Sequence, residues 1–414
     1  MRRSPLLPIF LIVLVDVLGL TIVIPLLAIY AESFGASAIV AALLMPTFAV
    51  CQLVAGPLLG KLSDRHGRRP ILLFSQIGTL IGFVMMAEAW SLWMVFAGRA
   101  LDGLTAGNLT VAQAYIADHT PPERRARAFG LIGIAFGLGF LVGPAVSGWL
   151  SGYSYAAPFW AAAALSGLSI LGTWFLLPKD VSTAPAAPAR SGGPGGERLG
   201  ILDWGLYATY FQRPMLRGLL VQFFVYMFSF SLFTGGFALY AERHLFWNGL
   251  PFTPREIGFT FAGAGVCGAL VQGGLIGRMV ARWGEATVAA VGFAMLAVGY
   301  FVLGAGTTIA MLAVATVVSS LGSAVIRPTI TALVTRLADR SEQGIVLGLT
   351  QSLSSLAAIT APPVAGFLIE HDHGRAWAWL AGGAALLGLL LAPLGTSRAG
   401  KQISAPTATP PARD

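Results

Sequence analysis

Charged side chains are scarce in this chain, and those inside its apolar stretches are the ones that could do chemistry. Asp16 stands alone in LIVLVDVLGLTIV. Arg99 and Asp102 are three residues apart in GRALDGLTAG, a spacing that puts both on one face of a helix. A charge at the centre of a bilayer costs about 2.5–3.5 kcal/mol on insertion scales, so each needs a partner or a task. Asp16 suits either a structural hydrogen bond to a neighbouring helix or the uptake and release of a proton. Arg99 and Asp102 suit either a local ion pair or a cation that tunes a carboxylate in a cavity. Asn108 and Gln113 carry polar character along the same helix, as interhelical glue or as cavity lining. Arg327, followed by Pro328, either meets a cavity or snorkels toward a helix end.

Composition says what must hold these residues. The chain has 414 residues, 56% hydrophobic and only 11% charged. Soluble domains carry roughly 25% charged residues, so lipid must solvate much of this surface. A membrane-crossing helix needs about 20 apolar residues. Stretches of that kind lie at 7–30, 38–59, 70–89, 91–116, 128–150, 157–177, 216–240, 256–276, 286–305, 308–334, 344–369 and 376–395. The expected fold is therefore an all-α integral membrane protein of twelve transmembrane helices.

The net charge of +8 has a topological cause. Twenty-one of the 26 Lys and Arg fall at the termini and on the same side of the loops. Arg243, Arg255 and Arg375 fall on the other side, and Arg99 and Arg327 lie inside apolar stretches. Cytoplasmic loops collect Lys and Arg, so both termini are expected in the cytoplasm, and nucleic-acid binding is not expected. The first apolar run is too long for a cleaved signal and is read as a retained helix. No phosphate-binding loop or nucleophile elbow occurs, so an enzyme is not expected. Cys51 and Cys267 read as inert buried thiols. His371 and His373 in EHDHG could meet a metal incidentally, but no metal site and no cofactor are expected.

The chain divides in two. Residues 179–215 are rich in Pro, Gly, Ala and Ser and read as a cytoplasmic linker, in part disordered. Residues 1–178 and 216–396 form the expected six-helix bundles, and 397–414 form a cytoplasmic tail. The halves repeat. GKLSDRHGRRP, at 60–70, returns as GRMVARWGE, with Gly60, Arg65 and Gly67 falling on Gly277, Arg282 and Gly284. FGLIGIAFGLGFLVGPAVSGWL, at 129–150, returns at 347–368, with Pro144 on Pro362 and Gly148 on Gly366. Asp64 falls on Ala281, so the turn is kept twice and the carboxylate once.

Two six-helix repeats joined by such a linker resemble the major facilitator superfamily. GKLSDRHGRRP resembles its signature loop, and GLGFLVGPAVSGWL resembles the fifth-helix motif of its drug/proton antiporters. GRALDGLTAG resembles the fourth-helix motif, and the first helix resembles that of tetracycline-efflux proteins. The resemblance implies a monomeric, multi-pass transporter of a bacterial inner membrane that exports small amphipathic compounds in exchange for protons. It implies proton coupling by Asp16, Arg99 and Asp102. It implies a conformational latch made by Gly60, Asp64, Arg65, Gly67, Arg68 and Asp118, Gly60 and Gly67 bracketing the turn, with Arg124 and Arg125 nearby. It implies an antiporter helix marked by Gly139, Gly143, Pro144 and Gly148. Gly82 and Leu296 stand where tetracycline pumps carry intramembrane acids, and Gly268 where some carry a histidine. The expected proton path thus rests on helices 1 and 4. Within the superfamily, a lipid or glycolipid flippase and a metabolite or sugar symporter remain alternatives.

Helix 7 is aromatic from Phe223 to Tyr240. Those rings suit lipid contact and packing, or a cavity for flat apolar compounds. Gln222, Tyr226, Phe230, Gln272, Arg327 and Gln351, with Asn108 and Gln113, are the candidate cavity residues.

Overall fold

A computed structural model describes residues 6–120, 122–177, 209–338 and 342–392. Each of the twelve apolar stretches falls on helix. The first half comprises α1 (Leu6–Val23), α2 (Leu27–Glu32), α3 (Ala38–Ala42), α4 (Leu44–His66), α5 (Arg68–Ala87), α6 (Leu92–Leu104), α7 (Asn108–His119), α8 (Pro122–Ser151) and α9 (Ala157–Leu176). The second half comprises α10 (Pro214–His244), α11 (Pro254–Leu270), α12 (Ile276–Ala305), α13 (Ile309–Leu337), α14 (Gln343–Glu370) and α15 (Gly374–Leu390). A π-helical turn, Val271–Leu275, joins α11 to α12, and a two-stranded ribbon, Phe246–Trp247 with Leu250–Pro251, follows α10. Helices dominate because the bilayer core offers backbone groups no water, and a helix satisfies them within one segment.

Eight helical stretches among the described residues are long and apolar enough to cross a membrane. One of them, Pro254–Ala305, has 52 residues. At 1.5 Å per residue it would be about 78 Å long, more than twice a hydrocarbon core of about 30 Å. Its break is at Gly284, with φ 76° and ψ 157°. Gly67, between α4 and α5, has φ 91° and ψ 157°. Two glycines matched by sequence repeat thus share one backbone conformation that side-chain-bearing residues avoid. The turn needs a glycine at this single position. Gly60 lies inside α4, facing Thr110 of α7, and does not bracket the turn as expected, because α4 continues to His66.

Helix pairing repeats as well. In the first half α1 packs on α8 and α9, α5 on α6 and α9, and α4 on α6. The counterparts hold in the second half: α10 on α14 and α15, α12 on α13 and α15, and α11 on α13. The described end of the linker joins the second half. Tyr210 is buried there, and Arg213 forms a two-pronged pair with Glu342 at 2.7 and 2.9 Å.

The halves meet along two seams, α8 against α11 and α14 against α3 and α4. Small residues set the approach. A Cβ on Gly258 would stand 2.6 Å from the Gly148 Cα, and one on Gly366 would stand 2.7 Å from the Ala38 carbonyl oxygen. The repeat-matched glycines, Gly148 and Gly366, thus sit on equivalent seams. Polar contacts close the same end of the molecule. Arg243 of α10 pairs with Glu32 of α2 at 2.5 Å, and Glu370 of α14 accepts from the Ile39 backbone N–H at 2.8 Å. At the other end, where Gly67 and Gly284 turn, Gln272–Leu275 are exposed four in a row. Val271 just before them is buried in the second half, so the turn is anchored at its start and open beyond it.

Because Gly67 and Gly284 hold a conformation open to glycine, Gly67→Ala and Gly284→Ala should each destabilise by about 1–3 kcal/mol. Gly277→Ala, in a helix with open space around it, should not. Thermal unfolding of purified protein in detergent checks the contrast.

Candidate functional site

The polar residues at bilayer depth converge in the first half. Helix α9 presents Ser166, Ser169 and Thr173 at spacings of three and four, on one face, and all three are buried. Helix α5 turns Gln76 toward that face, while its Ser75 lies against Gly107 and its Thr79 against Asp102. Gln76 Nε2 donates to Ser169 Oγ at 2.7 Å, and Ser169 Oγ donates to Asp16 Oδ1 at 2.8 Å. Ser166 Oγ donates to the Gln76 carbonyl oxygen at 3.1 Å. The Asn108 carboxamide lies beside the Asp16 carboxyl from α7. One carboxylate is therefore reached directly from α9 and α7, and from α5 through Ser169.

Arg99 and Asp102 form the local ion pair, with Nη1 to Oδ2 at 3.0 Å. Both are buried, at 3% and 4% exposure. The Arg99 guanidinium lies over the Phe48 ring at 4.4 Å, and the Thr79 hydroxyl reaches Asp102. Asp102 in turn lies close enough to Asp16 for the two charges to interact. Helices α5 and α6 approach through glycines here. A Cβ on Gly82 would stand 2.9 Å from the Gly98 carbonyl oxygen and 3.1 Å from the Asp102 Cβ. No acid fits at position 82 beside Asp102, so the carboxylate at this level is carried by α6.

The chain breaks next to this cluster, at Thr105–Gly107 between α6 and α7. Thr105 Oγ1 returns a hydrogen bond to the Leu101 carbonyl oxygen at 2.8 Å. Several buried polar atoms around the break have no hydrogen-bond partner among the described residues: Asp16 Oδ2, Gln76 Oε1, Asn108 Oδ1, Arg99 Nε and Ser75 Oγ.

The charge knot forms a second constellation. Arg68, at the start of α5, binds Asp64 of α4 at 2.7 Å and Asp118 of α7 at 2.8 Å. It also donates to Ser63 Oγ at 2.6 Å. Two carboxylates on one guanidinium tie α4, α5 and α7 of the first half together. Arg65 is exposed, and the side chains of Arg124 and Arg125 lie outside the described residues. The neighbouring Arg69 is buried, donating to the Trp174 carbonyl oxygen at 2.6 Å.

On the fifth helix, α8, the motif glycines face two ways. Gly139 and Gly143 abut Val17 and Thr21 of α1, and Thr21 Oγ1 donates to the Gly139 carbonyl oxygen at 2.9 Å. Gly148 abuts α11, and the Pro144 carbonyl oxygen lies against Gly258 there.

The candidate cavity residues separate. Gln113, Gln272, Arg327 and Gln351 are exposed. Arg327 of α13 lies 5.7 Å from the Phe136 ring of α8, and Gln272 faces Gly137, so these two look across from the second half to the first. Gln222 does not line a cavity, contrary to expectation. It is buried, and its Nε2 donates to the Gly388 carbonyl oxygen at 2.8 Å, tying α10 to α15. Tyr226 is also buried, its hydroxyl 2.9 Å from Ser323 Oγ, with Phe230 stacked on its ring. Among the described residues no cluster of metal-ligating side chains occurs.

The sequence reading missed Gln76, Ser166 and Ser169. Their signal was present as small polar residues at helical spacing inside apolar helices, without charge to mark them.

Comparisons with known proteins agree with this fold. The profile of the Major Facilitator Superfamily matches residues 9–273 and 232–413. The class C tetracycline resistance protein of Escherichia coli is 32% identical over 381 residues, covering 91% of this chain and 92% of that one. The class E tetracycline resistance protein of Escherichia coli is 30% identical over 379 residues, covering 90% of both chains. The crystal structure of the human organic anion transporter MFSD10 superposes with a TM-score of 0.71 at 25% identity, covering 94% of this chain and 99% of that one.

Removing one partner of a buried ion pair strands the other charge, at a cost of about 3–5 kcal/mol. Arg99→Ala and Asp102→Ala should therefore each lower stability strongly, while Arg99→Met with Asp102→Leu should recover most of the loss. Unfolding of these three variants beside the wild-type protein checks this.

Proposed function

The chain belongs to the Major Facilitator Superfamily, and from that premise we propose that it exports small amphipathic compounds in exchange for protons across a bacterial inner membrane. It is a multi-pass membrane transporter, not an enzyme. The observation that carries the proton-exchange reading is Asp16, a carboxylate at bilayer depth that accepts from the neutral Ser169 hydroxyl of α9. Such a group has no ion-pair partner of its own to fix its charge, unlike Asp102.

In this reading the cycle runs by alternating access. The positive-inside distribution puts the end with Gly67 and Gly284 in the cytoplasm, along with both termini. The end clasped by Arg243–Glu32 and by the Gly148–Gly258 contact then faces outward. Substrate enters between the halves near Gln272 and Arg327 and displaces the proton balance at Asp16. The halves rock, the outer clasp parts, and a proton taken up from outside returns the protein. Arg68, holding Asp64 and Asp118, keeps the cytoplasmic ends of α4, α5 and α7 together as one body during that motion. The monomer suffices for this cycle.

The relatives named as tetracycline resistance proteins favour a drug as cargo. A second reading, an organic anion as cargo, is favoured by the exposed guanidinium of Arg327 facing the first half. A substrate panel that includes cationic, neutral and anionic compounds decides between them in everted vesicles.

Two outcomes are expected. Substrate should release protons from purified protein, and Asp16→Asn should abolish that release while leaving the fold intact. Full release by the variant would contradict the assignment. Asp64→Asn should insert normally yet slow transport in vesicles, because Arg68 loses one of its two carboxylates.

A further inference from the structure

Asp16 Oδ1 and Oδ2 differ, and the difference assigns the proton to one of them. A serine hydroxyl has a single hydrogen. Ser169 gives that hydrogen to Asp16 Oδ1 and receives one from Gln76 Nε2. The Gln76 amide is thereby oriented, with its Nε2 toward Ser169 and its Oε1 turned away. Both residues are sealed, Gln76 at 0% and Ser169 at 2% exposure, so water does not compete for these bonds.

The chain Gln76 to Ser169 to Asp16 is polarised, every donor pointing toward the carboxylate. A proton arriving on Oδ1 would set two hydrogens against each other. Oδ2 is buried and makes no hydrogen bond among the described residues, although the Asn108 carboxamide stands beside the carboxyl, and Gln76 Oε1 and Asn108 Oδ1 likewise accept none.

We infer that Ser169 and Gln76 are positioning residues that hold Asp16 Oδ1 as a permanent acceptor and direct protonation to Oδ2. The step balances simply: hydronium gives one proton to the Oδ2 lone pair and leaves as water, and the Ser169 O–H stays where it is. Deprotonation reverses it. This inference rests on the proton-exchange reading of Asp16, but concerns residues that reading does not use.

Other charged groups near Asp16 are few. Helix α9 carries no ionisable side chain, and α8 carries none from Leu131 to Ser151. Asp102, paired with Arg99, faces Asp16 from α6. On α7, Tyr115, Asp118 and His119 lie two or more turns beyond Asn108. None of these contacts is removed by a change at Ser169.

The test is an infrared titration of the protonated-carboxyl band in purified, lipid-embedded protein, with Asp16→Asn identifying the band. Ser169→Ala removes the donor to the anion and should move the titration midpoint upward by about one pH unit, the size expected for a hydrogen bond to a charged group. Ser169→Thr keeps a hydroxyl and should restore the wild-type midpoint. Gln76→Leu leaves the hydroxyl unanchored and should shift the midpoint in the same direction, by less. A wild-type midpoint in Ser169→Ala, or an equal shift in Ser169→Thr, would overturn the inference. If no titrating band disappears in Asp16→Asn, the proton-exchange reading fails with it. A band that disappears there but ignores Ser169 removes the positioning role alone.

Discussion

The core of a bilayer contains no water, and every polar group placed there must find its partner inside the protein. This constraint shapes the whole molecule. It makes the backbone helical, and it confines breaks in helices to places where protein groups take over. At Thr105–Gly107 the Thr105 hydroxyl caps carbonyls of the preceding turn. It also gathers polar side chains, because a lone polar group in lipid costs more than one inside a network. Asp16, Ser169, Gln76, Arg99, Asp102 and Thr79 form such a gathering, across α1, α5, α6 and α9.

The two halves share a scaffold and divide the work. Counting 217 residues onward, the offset of Gly67 and Gly284, Asp16 falls on Phe233 and Gln76 on Phe293. Phe233 stacks with Tyr300 and Trp377, and Phe293 meets Tyr226 edge-on. What is a polar network in the first half is an aromatic core in the second. The backbone demands are common to both: a glycine turn at Gly67 and Gly284, and glycines at the seams, Gly148 and Gly366. One half thus carries titratable chemistry while the other supplies a stiff apolar body against which it can move.

Much of this was legible in the sequence, and for physical reasons. Apolar length marked the helices, and the offset between repeats marked Gly284 as a turn that a helix assignment alone runs through. Spacing put Arg99 on Asp102. Composition could not reveal Ser169 or Gln76, since single uncharged polar residues leave little trace in a hydropathy pattern. Nor could it tell a buried glutamine from a cavity-lining one: Gln222 binds a backbone carbonyl, whereas Gln272 is exposed. Gly60 was misplaced because a glycine near a charged turn resembles one within it, and the extra helical turn to His66 is set by packing against α7 and by the Arg68 contacts.

The account stands or falls on whether the small-residue seams open at one end as they close at the other. Spin labels at Lys61 and Arg278 report the basic end, and labels at Ser154 and Leu250 report the clasped end; all four positions are exposed. Distances between labels in lipid nanodiscs should change reciprocally when substrate and pH are varied. The Lys61–Arg278 distance should shorten as the Ser154–Leu250 distance lengthens. If both distances stay fixed, or both change in the same sense, the halves do not rock about these seams and the account is wrong.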